Sequence, residues 1–552
     1  MRLTASRTSS SGRASGQDFI FGTSKRREAV GASYLVHAIA AEWVTKAVRQ
    51  ITGVPGGATI ASGGPHEVLV QTSGMFLAFF TDAAQARSVI SEVTLRALRE
   101  APGLGVTGVV GDPIDWAGNG APAAVAQVFR AMATSRVTRP STAVRFPVLP
   151  VTALCPSSAL PVAGLVRVGG SPELRSAPSL AKLATHEPAL IRLAEMSGLP
   201  VAHVRRAARR LDGDQPDSPE RVAVVHADGN GLGGVFAGLA GLMVDESGAE
   251  PDNAGYAAAY HDFSAALATS TERAFQLSVQ HLRQEHGSDP DVLPLVLAGD
   301  DITFVADAAL APLLTRHFLT ELVRLVATDP ATGALLRRRG TAADPRIGIA
   351  AGLVVTTPHF PFSASYSLAE ELVSEVAKRA KAEVTDPAGD QVPCVSLAVH
   401  VQLDSTATTA DALQAGLTVD GHLLTAAPYV EIVDTGEPVR ELSDRSRRWL
   451  DGRRLDDVWQ LAAALLEKDA DGRRVRSSAQ LHELRARLRP HPSAASEYLE
   501  RLIGAAPERW EILREDPRSV FTARGEDPPT TRLLDALSVA PLLTPRREAD
   551  HG

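Results

Sequence analysis

Cysteine is nearly absent from this chain, with only Cys155 and Cys394 in 552 residues. A disulfide scaffold and a cysteine-rich zinc site both need more thiols, so both are excluded and no zinc is expected. So few cysteines also fit a reducing, cytoplasmic environment. Long apolar runs are missing too. None approaches the roughly 20 residues of a bilayer span, so we expect no membrane association.

Neither sign of charge dominates the chain. Its 56 lysines and arginines and its 64 aspartates and glutamates give a net charge of −8. Any surface that binds nucleic acid must therefore be local. With 44% hydrophobic and 22% charged residues, the composition is that of a globular protein of several domains. We expect residues 1–16, rich in serine and arginine, to be a disordered leader.

The first recognisable run of elements lies within residues 17–111. Hydrophobic periodicity predicts a helix over 29–52, a hairpin from 67–71 and 76–80, a helix over 83–100 and a strand over 104–110. This order is that of a ferredoxin-like domain without its first strand, which would have to fall in the leader.

The same order returns over residues 221–403, now with an opening strand at 222–227. A hairpin around Asp300, a helix over 308–326, a strand over 346–355, a helix over 365–384 and a strand over 392–401 complete it. The predicted fold class is therefore α+β, with two ferredoxin-like domains of the palm or nucleotidyl-cyclase type. We expect an irregular inter-palm helical and linker region over 112–220, with a basic helix over 188–211. A connecting segment over 404–439 and a C-terminal helical domain with a tail over 440–552 should follow.

Two adjacent acids at the tip of the second hairpin are the strongest chemical signal. Gly299-Asp300-Asp301 lies between two apolar runs, and Asp228 follows the apolar run 222–227. Palm-type nucleotidyl transfer needs carboxylates on rigid elements to hold two divalent metals, Mg²⁺ or Mn²⁺. Asp228, Asp300 and Asp301 are therefore the candidate catalytic residues and metal ligands. The alternative is a solvated turn, because acids are common in hairpin turns.

The glycines around these acids suggest contact with phosphates. Gly229, Asn230 and Gly231 begin a glycine-rich turn whose backbone amides and following helix are suited to a nucleotide. Gly299 would let a phosphate approach the hairpin backbone. The alternative is a flexible turn, since the spacing matches neither the Rossmann motif nor the P-loop.

Cations that could contact a triphosphate occur on the predicted helix 365–384. Lys378 and Lys381 lie one turn apart there, although a solvated helix face is the alternative. The largest local basic region is further along the chain and is either an RNA-backbone contact or a solvated face. Its members are Arg473, Arg474, Arg476, Arg485, Arg487 and Arg489.

Together these segments resemble the large palm-domain subunit of type III CRISPR effector complexes. The family's second palm carries an Asp-x-Asn-Gly turn and a Gly-Gly-Asp-Asp hairpin, which are similar to Asp228–Gly231 and Ala298–Asp301. The segments 348–352, 359–361 and 367–381 resemble the strand and helix that follow. Residues 17–21 and 27–33 are similar to the opening of the first palm.

The resemblance implies synthesis of cyclic or linear oligoadenylate messengers from ATP in antiviral defence, with Mg²⁺ or Mn²⁺. It implies crRNA-guided effector subunits and target RNA as partners. Alternatives are a non-catalytic, RNA-binding scaffold subunit of an RNA-guided complex, or a free-standing cyclic-dinucleotide synthase.

This sequence also departs from the family pattern. It lacks the family's HD nuclease domain and the zinc-binding cysteine pairs between the palms, so neither DNase activity nor zinc is expected. Ala298 replaces the first glycine of the hairpin motif. The first hairpin turn, Thr72-Ser-Gly-Met75, has no acids, so we expect the first palm to be inactive.

Overall fold

The computed structural model describes residues 2–8, 15–54, 59–72, 74–138, 142–168, 170–244, 247–339, 344–402, 409–517, 519–524 and 527–543. Its strands are β1 (Arg2–Thr8), β2 (His66–Thr72), β3 (Met75–Phe80), β4 (Val106–Pro113), β5 (Val162–Val168), β6 (Ser171–Ser176), β7 (Val222–Asn230), β8 (Val292–Ala298), β9 (Asp301–Asp307), β10 (Gly348–Thr356), β11 (Val395–Val401), β12 (Thr418–Val419), β13 (His422–Leu423) and β14 (Tyr429–Glu431).

The helices of the first half are α1 (Ser15–Phe21), α2 (Arg26–Ala38), α3 (Val44–Thr52), α4 (Ala83–Glu100), α5 (Ala121–Thr138), α6 (Ala177–Ala184), α7 (His186–Ser197), α8 (Val201–Leu211), α9 (Leu232–Ala237), α10 (Leu239–Met243) and α11 (Asn253–His286). Those of the second half are α12 (Ala311–Thr328), α13 (Pro330–Arg337), α14 (Phe362–Glu371), α15 (Ala380–Glu383), α16 (Ala410–Leu417), α17 (Asp444–Leu450), α18 (Leu455–Leu465), α19 (Ser478–Leu488), α20 (Pro492–Ala505), α21 (Pro507–Trp510) and α22 (Leu533–Val539). Ile39–Trp43 and Leu372–Val376 are π-helical turns, and Ala377–Arg379 is a 3₁₀ turn.

The first sheet is antiparallel, in the order β2-β3-β1-β4. The predicted hairpin is confirmed as β2 and β3, and the predicted helix over 83–100 is confirmed as α4. Within the predicted disordered leader over residues 1–16, the structure has β1 between β3 and β4 and the start of α1 at Ser15, whereas residues 1 and 9–14 lie outside the described residues. Hydrogen bonds to two neighbouring strands stabilise the polar strand β1, and its local sequence does not reveal them.

The second sheet has the order β14-β11-β10-β7-β9-β8, with β10 and β11 parallel and the other pairs antiparallel. The predicted opening strand 222–227 is confirmed and continues to Asn230, so Asp228 lies within β7. The predicted acidic hairpin is confirmed as β8 and β9. Within this sheet, β10-β7-β9-β8 repeats the order β4-β1-β3-β2 of the first sheet, with helices at the same places in the connections.

A helix of 34 residues, α11, joins the two sheets and ends at a glycine in the left-handed region, Gly287 (φ 68°). It packs against α12, β2 and β8. Its Phe275 ring contacts Phe304 of β9 and Phe318 of α12 at centroid distances of 5.4 and 5.5 Å. These buried aromatic rings fix β9, and with it the acidic hairpin, against the core.

Two predicted helices are interrupted. The predicted continuous helix over 365–384 is wrong, because α14 gives way to the π-helical turn Leu372–Val376, the 3₁₀ turn and α15. The predicted basic helix over 188–211 is α7 and α8, separated at Gly198, whose φ of +69° ends α7. No helix among the described residues has both the length and the apolar character needed to cross a bilayer.

Candidate active site

The central feature of the site is a pair of acids on neighbouring strands. Asp228 of β7 lies directly opposite Asp301 of β9 in the antiparallel register. Directly opposed residues project from the same face of a sheet, with Cβ atoms about 5 Å apart. Both side chains are partly buried. Two of the three predicted acids are thus adjacent although 73 residues separate them in sequence (301 − 228 = 73).

The third predicted acid, Asp300, lies in the hairpin turn beside these strands. Its carbonyl oxygen accepts a hydrogen bond of 3.1 Å from the Gly229 backbone N–H, which ties the turn to β7. A Cβ atom at Gly229 would lie 2.7 Å from the Asp300 Cβ, so only glycine fits there. Gly299, at φ 71°, makes the turn and its carbonyl accepts a 2.7 Å bond from the buried Thr271 hydroxyl.

A cation lies against the first acid. The Lys378 Nζ donates to Asp228 Oδ2 in an ion pair whose two side chains are about one third exposed. Lys378 lies in the 3₁₀ turn that follows the π-helical turn, and this departure from the α-helix sets its direction. Lys381, the other predicted cation, is exposed on α15 and makes no hydrogen bond or ion pair with a described residue.

A glutamine from the other end of the chain contacts the second acid. Gln17 Nε2, on α1, donates a hydrogen bond of 2.7 Å to Asp301 Oδ2. The Phe21 ring stacks on Tyr366 of α14 at 3.6 Å and so holds α1 against the second sheet. Sequence patterns assign Gln17 no role, and its one signal is its place in the segment 17–21.

His226 is the buried neighbour of the acids, two residues before Asp228 on the same face of β7. Its Nδ1 lies 3.1 Å from the Thr303 hydroxyl and 3.8 Å from Asp301 Oδ1. Burial lowers the pKa of its imidazole, a shift that Asp228 and Glu370 oppose. His226 is 4% exposed, so it is a packed residue of the core.

Beyond the acids, the glycine-rich turn borders a cavity of about 180 Å³. Asn230 lines it and is buried, and its Oδ1 has no hydrogen-bond partner among the described residues. Gly231 adopts φ 79° and begins α9, with Arg339 Nη2 3.0 Å from the position of a Cβ. The exposed Arg339 guanidinium has no ion pair with a described residue, so this end of the site offers a free cation.

The acids fit a divalent cation in their chemistry. Asp228 and Asp301 present hard carboxylate oxygens from two hydrogen-bonded central strands, as Mg²⁺ and Mn²⁺ prefer. The described residues contain no group of three or more histidine, cysteine, aspartate or glutamate side chains arranged to hold a metal by themselves. A metal held by these two acids would thus take its other ligands from phosphate and water oxygens.

The first sheet has no acid pair at the corresponding place. In the hairpin β2–β3, Met75 is the first residue of β3. The residue opposite Met75 on the central strand β1 is Arg7. In the second sheet the corresponding residues are Asp301 and Asp228. The two sheets therefore share an order of strands but differ in charge at the hairpin end.

The predicted basic cluster does not form one surface. Arg476 is buried and pairs with Glu467, and Arg487 pairs with Glu483. Arg485 and Arg489 line a different cavity, between the second sheet and the C-terminal helices. Whether any of them contacts RNA stays a prediction.

The chain matches no protein family and no curated protein. It is similar in structure to the Csm1–Csm4 cassette in complex with cA4, with a TM-score of 0.50 and 11% identity over 98% of this chain and 69% of that chain. The Csm1–Csm4 cassette in complex with cA3 and Csm1 of T. onnurineus each match with a TM-score of 0.50 and 13% identity, over 99% of this chain and 70% of theirs. At this identity the likeness shows a shared mixed α+β fold.

Proposed function

We propose that the protein is a metal-dependent nucleotidyl transferase that makes oligoadenylates from ATP. The observation that carries the proposal is the opposition of Asp228 and Asp301 on central strands of the second sheet. A hairpin turn made by glycine and a polar cavity flank this pair. Carboxylates on rigid strands beside an open, glycine-lined surface are suited to phosphoryl transfer, which depends on positioning and electrostatics.

In the proposed reaction a 3′-hydroxyl oxygen attacks the α-phosphorus of ATP. A phosphodiester bond forms, the bond from the α-phosphorus to the bridging oxygen breaks, pyrophosphate leaves and the hydroxyl proton passes to solvent. Bound Mg²⁺ or Mn²⁺ would activate the hydroxyl and neutralise phosphate charge. Asp228 and Asp301 would hold the metal, Asp300 would support them, and Lys378 would turn from Asp228 towards the triphosphate.

The glycines have a matching role in this proposal. Gly229 and Gly299 keep side chains away from the surface between the hairpin and β7, so a phosphate can approach the backbone. Gly231 and Asn230 lie at the adjoining cavity, where Arg339 offers positive charge. Lys381 is exposed on α15, so we assign it the outermost contact with the triphosphate.

The wider setting follows from the fold. We propose that both sheets belong to ferredoxin-like palm domains, because each has the strand order fourth, first, third, second that this fold requires. The first palm would be inactive because Arg7 and Met75 stand where the second has two acids. The similar structures are of Csm1 with Csm4 and bound cA4 or cA3. We therefore propose a role in CRISPR-associated antiviral defence, with other effector subunits as partners and crRNA and target RNA as ligands of the complex.

The test is incubation of the purified protein, alone and assembled with its copurifying subunits, with labelled ATP and Mn²⁺, with and without target RNA. We expect oligoadenylate and pyrophosphate from the wild type and at least a hundredfold less from Asp228→Asn and Asp301→Asn. The matched control is Asp262→Asn, an exposed acid on α11. Product that survives in the double variant Asp228→Asn with Asp301→Asn would contradict the proposal.

A second function, that of a non-catalytic scaffold, is favoured by two observations. Lys378 already neutralises Asp228, and Ala298 occupies the first position of the hairpin motif. A scaffold would copurify with RNA and partner subunits yet yield no product from ATP under any of the conditions above. The wild-type assay thus separates the two functions.

A further inference from the structure

A second cavity, larger than the one beside Asn230, is bordered by the π-helical turn Leu372–Val376. Its volume is about 430 Å³, and it is enclosed by β11, the π-helical turn Leu372–Val376, and the C-terminal helices. This volume lies within the range of about 300–1,000 Å³ that is typical of small-molecule sites. Apolar side chains form most of its wall, among them Leu372, Leu413, Leu417, Val458, Trp459 and Val539.

Two arginines, Arg485 of α19 and Arg489 directly after this helix, line the cavity, and neither has a counter-ion among the described residues. Arg485 and Arg489 lie four residues apart, and neither has a carboxylate within 4.0 Å or a hydrogen-bond partner among the described residues. Burial, together with repulsion from Arg489, lowers the pKa of the Arg485 guanidinium. Arg485 is half-buried and Arg489 is exposed, so the two guanidinium groups lie at the cavity wall, where a bound anion would offset their mutual repulsion.

Arg487, on the same helix, shows what the ordinary arrangement looks like. Its guanidinium pairs with Glu483 one turn away, at 2.6 Å, and lies 4.8 Å from the centre of the Tyr498 ring. Arg487 does not line the cavity. The lack of partners at Arg485 and Arg489 is therefore specific to the side of α19 that faces the cavity.

The other charged groups of the wall are already satisfied. Arg379 pairs with Asp527 at 2.7 Å. Asp535 accepts three hydrogen bonds at Oδ2, from the Tyr429 and Thr425 hydroxyls and the Ala426 N–H, and burial raises its pKa to about 6. Among the described residues of the wall, the positive charge without a counter-ion is thus that of the two arginines.

We propose that this cavity binds a small organic anion. Its aromatic or aliphatic body would pack on Trp459 and the leucines, and its anionic group would bind Arg485 and Arg489 together. Arginine is suited to this task because its planar guanidinium donates paired hydrogen bonds to carboxylate, sulfonate or phosphate oxygens. The site is distinct from the acid pair and its existence does not depend on oligoadenylate synthesis.

The inferred site adjoins the segment that carries Lys378, the cation paired with Asp228. Leu372 and Val376 of the cavity wall belong to the π-helical turn, and Lys378, which follows it, pairs with Asp228. A ligand that packs against this turn contacts the segment that sets the direction of Lys378. A ligand bound in this cavity would therefore change the ion pair between Lys378 and Asp228.

The experiment uses 1-anilinonaphthalene-8-sulfonate, an aromatic sulfonate whose fluorescence rises in apolar sites, with stoichiometry from calorimetric titration of the folded, full-length protein. We expect one site per chain, and an affinity at least tenfold lower in Arg485→Ala with Arg489→Ala. Arg487→Ala, the matched control on the same helix, should bind as the wild type does. Gly416→Phe should also weaken binding, because a Cβ at this cavity-lining glycine meets nothing within 4 Å, which leaves room for a bulky ring at the cavity wall.

Three outcomes would overturn the inference. These are no saturable binding by the wild type, equal affinity in the double variant and Arg487→Ala, or unchanged affinity in Gly416→Phe. If circular dichroism shows that the double variant does not fold, Gly416→Phe decides alone. Loss of RNA binding in the double variant with unchanged probe affinity would assign the arginines to RNA phosphates instead. None of these readouts involves ATP, so they stand apart from the test of the proposed function.

Discussion

Gln17 donates a 2.7 Å hydrogen bond to Asp301 across 284 residues of sequence, so the candidate active site is built from both halves of the chain. The donor lies on α1, and α1 is held against the second sheet by the stacking of Phe21 on Tyr366. The helix α1 therefore orients the acid pair, although both acids lie on strands of the second sheet. Movement of α1 relative to the second sheet would change the hydrogen bonding of Asp301, a proposed metal ligand.

Replacing Gln17 by alanine tests this relationship. A hydrogen bond to a charged group is worth about 1.5–3 kcal/mol when buried, and this one is partly exposed. We expect roughly a tenfold lower rate of ATP consumption by Gln17→Ala in the Mn²⁺ assay, with the melting temperature changed by only a few degrees. Gln127→Ala is the matched control, because Gln127 Nε2 also donates to a carboxylate, Asp112, on the exposed surface. Equal rates of ATP consumption in the two variants would show that Gln17 does not position Asp301.

Removing Lys378 should separate metal binding from turnover. Lys378→Ala frees Asp228 from its ion pair, so Mn²⁺ affinity should rise about threefold to tenfold, a modest gain because both side chains are partly exposed. The rate of ATP consumption should fall, since the triphosphate loses a cation. Manganese titration by electron paramagnetic resonance measures the first effect. Lys468→Ala, at an exposed lysine of the C-terminal region, should change neither quantity, and weaker Mn²⁺ binding by Lys378→Ala would contradict this account.

A methyl group at Gly229 should disrupt the acidic turn without unfolding the protein. The added Cβ would lie 2.7 Å from Asp300 Cβ and 2.8 Å from Leu232 Cδ1, so the turn must shift. A displacement of about 1 Å can cost about a hundredfold in rate, and we expect a loss of that size in the ATP assay. Gly233→Ala, four residues on in α9, meets nothing within 4 Å and should keep its activity. Similar activity in the two variants would show that the turn tolerates the shift.

Stability should fall in mild acid because of His37. Burial, with a smaller contribution from Arg192, lowers the pKa of this imidazole to about 4. Below pH 6.5 the unfolded chain binds a proton at His37 that the folded protein does not bind. The contribution of His37 to the free energy of unfolding is therefore complete above pH 6.5 and is lost as the pH falls to about 4. The loss is at most about 3 kcal/mol.

Urea denaturation of His37→Gln between pH 7 and pH 4 measures this effect. The variant should lose less stability over that range than the wild type, while the other buried histidines contribute equally to both proteins. His261→Gln, at an exposed position of α11, should follow the wild type. Parallel curves for His37→Gln and the wild type would exclude the effect.

Breaking the buried pair of Asp344 and Arg346 should be costly. The two side chains are 3% and 1% exposed and lie 3.0 Å apart, and Arg346 also donates to the Val433 carbonyl. Asp344→Ala leaves a buried guanidinium without its counter-ion, which costs about 3–5 kcal/mol. Glu441→Ala removes a partner of Arg447 at the surface and should cost less than about 1 kcal/mol. Thermal unfolding followed by circular dichroism compares them, and equal melting temperatures would contradict the argument.

Much of the second sheet could be predicted from the sequence. Apolar runs on both sides of Gly299 indicate the hairpin, and the structure has β8 and β9 there. The run before Asp228 indicates β7, which is why the proximity of Asp228 to the hairpin was foreseeable. These features depend on residues close in sequence, where side-chain periodicity and turn chemistry determine the structure.

The tertiary structure decided what depends on distant residues. The strand β1 has little strand character, and its place is set by hydrogen bonds to β3 and β4. The ion pair of Lys378 and Asp228 follows from the end of the α-helix at Leu372, and the bond of Gln17 to Asp301 follows from the docking of α1. The sequence by itself determined which acids are present and that they lie close to strand ends. Only long-range packing decided which cation and which amide meet them, because such contacts form between segments that no local pattern relates.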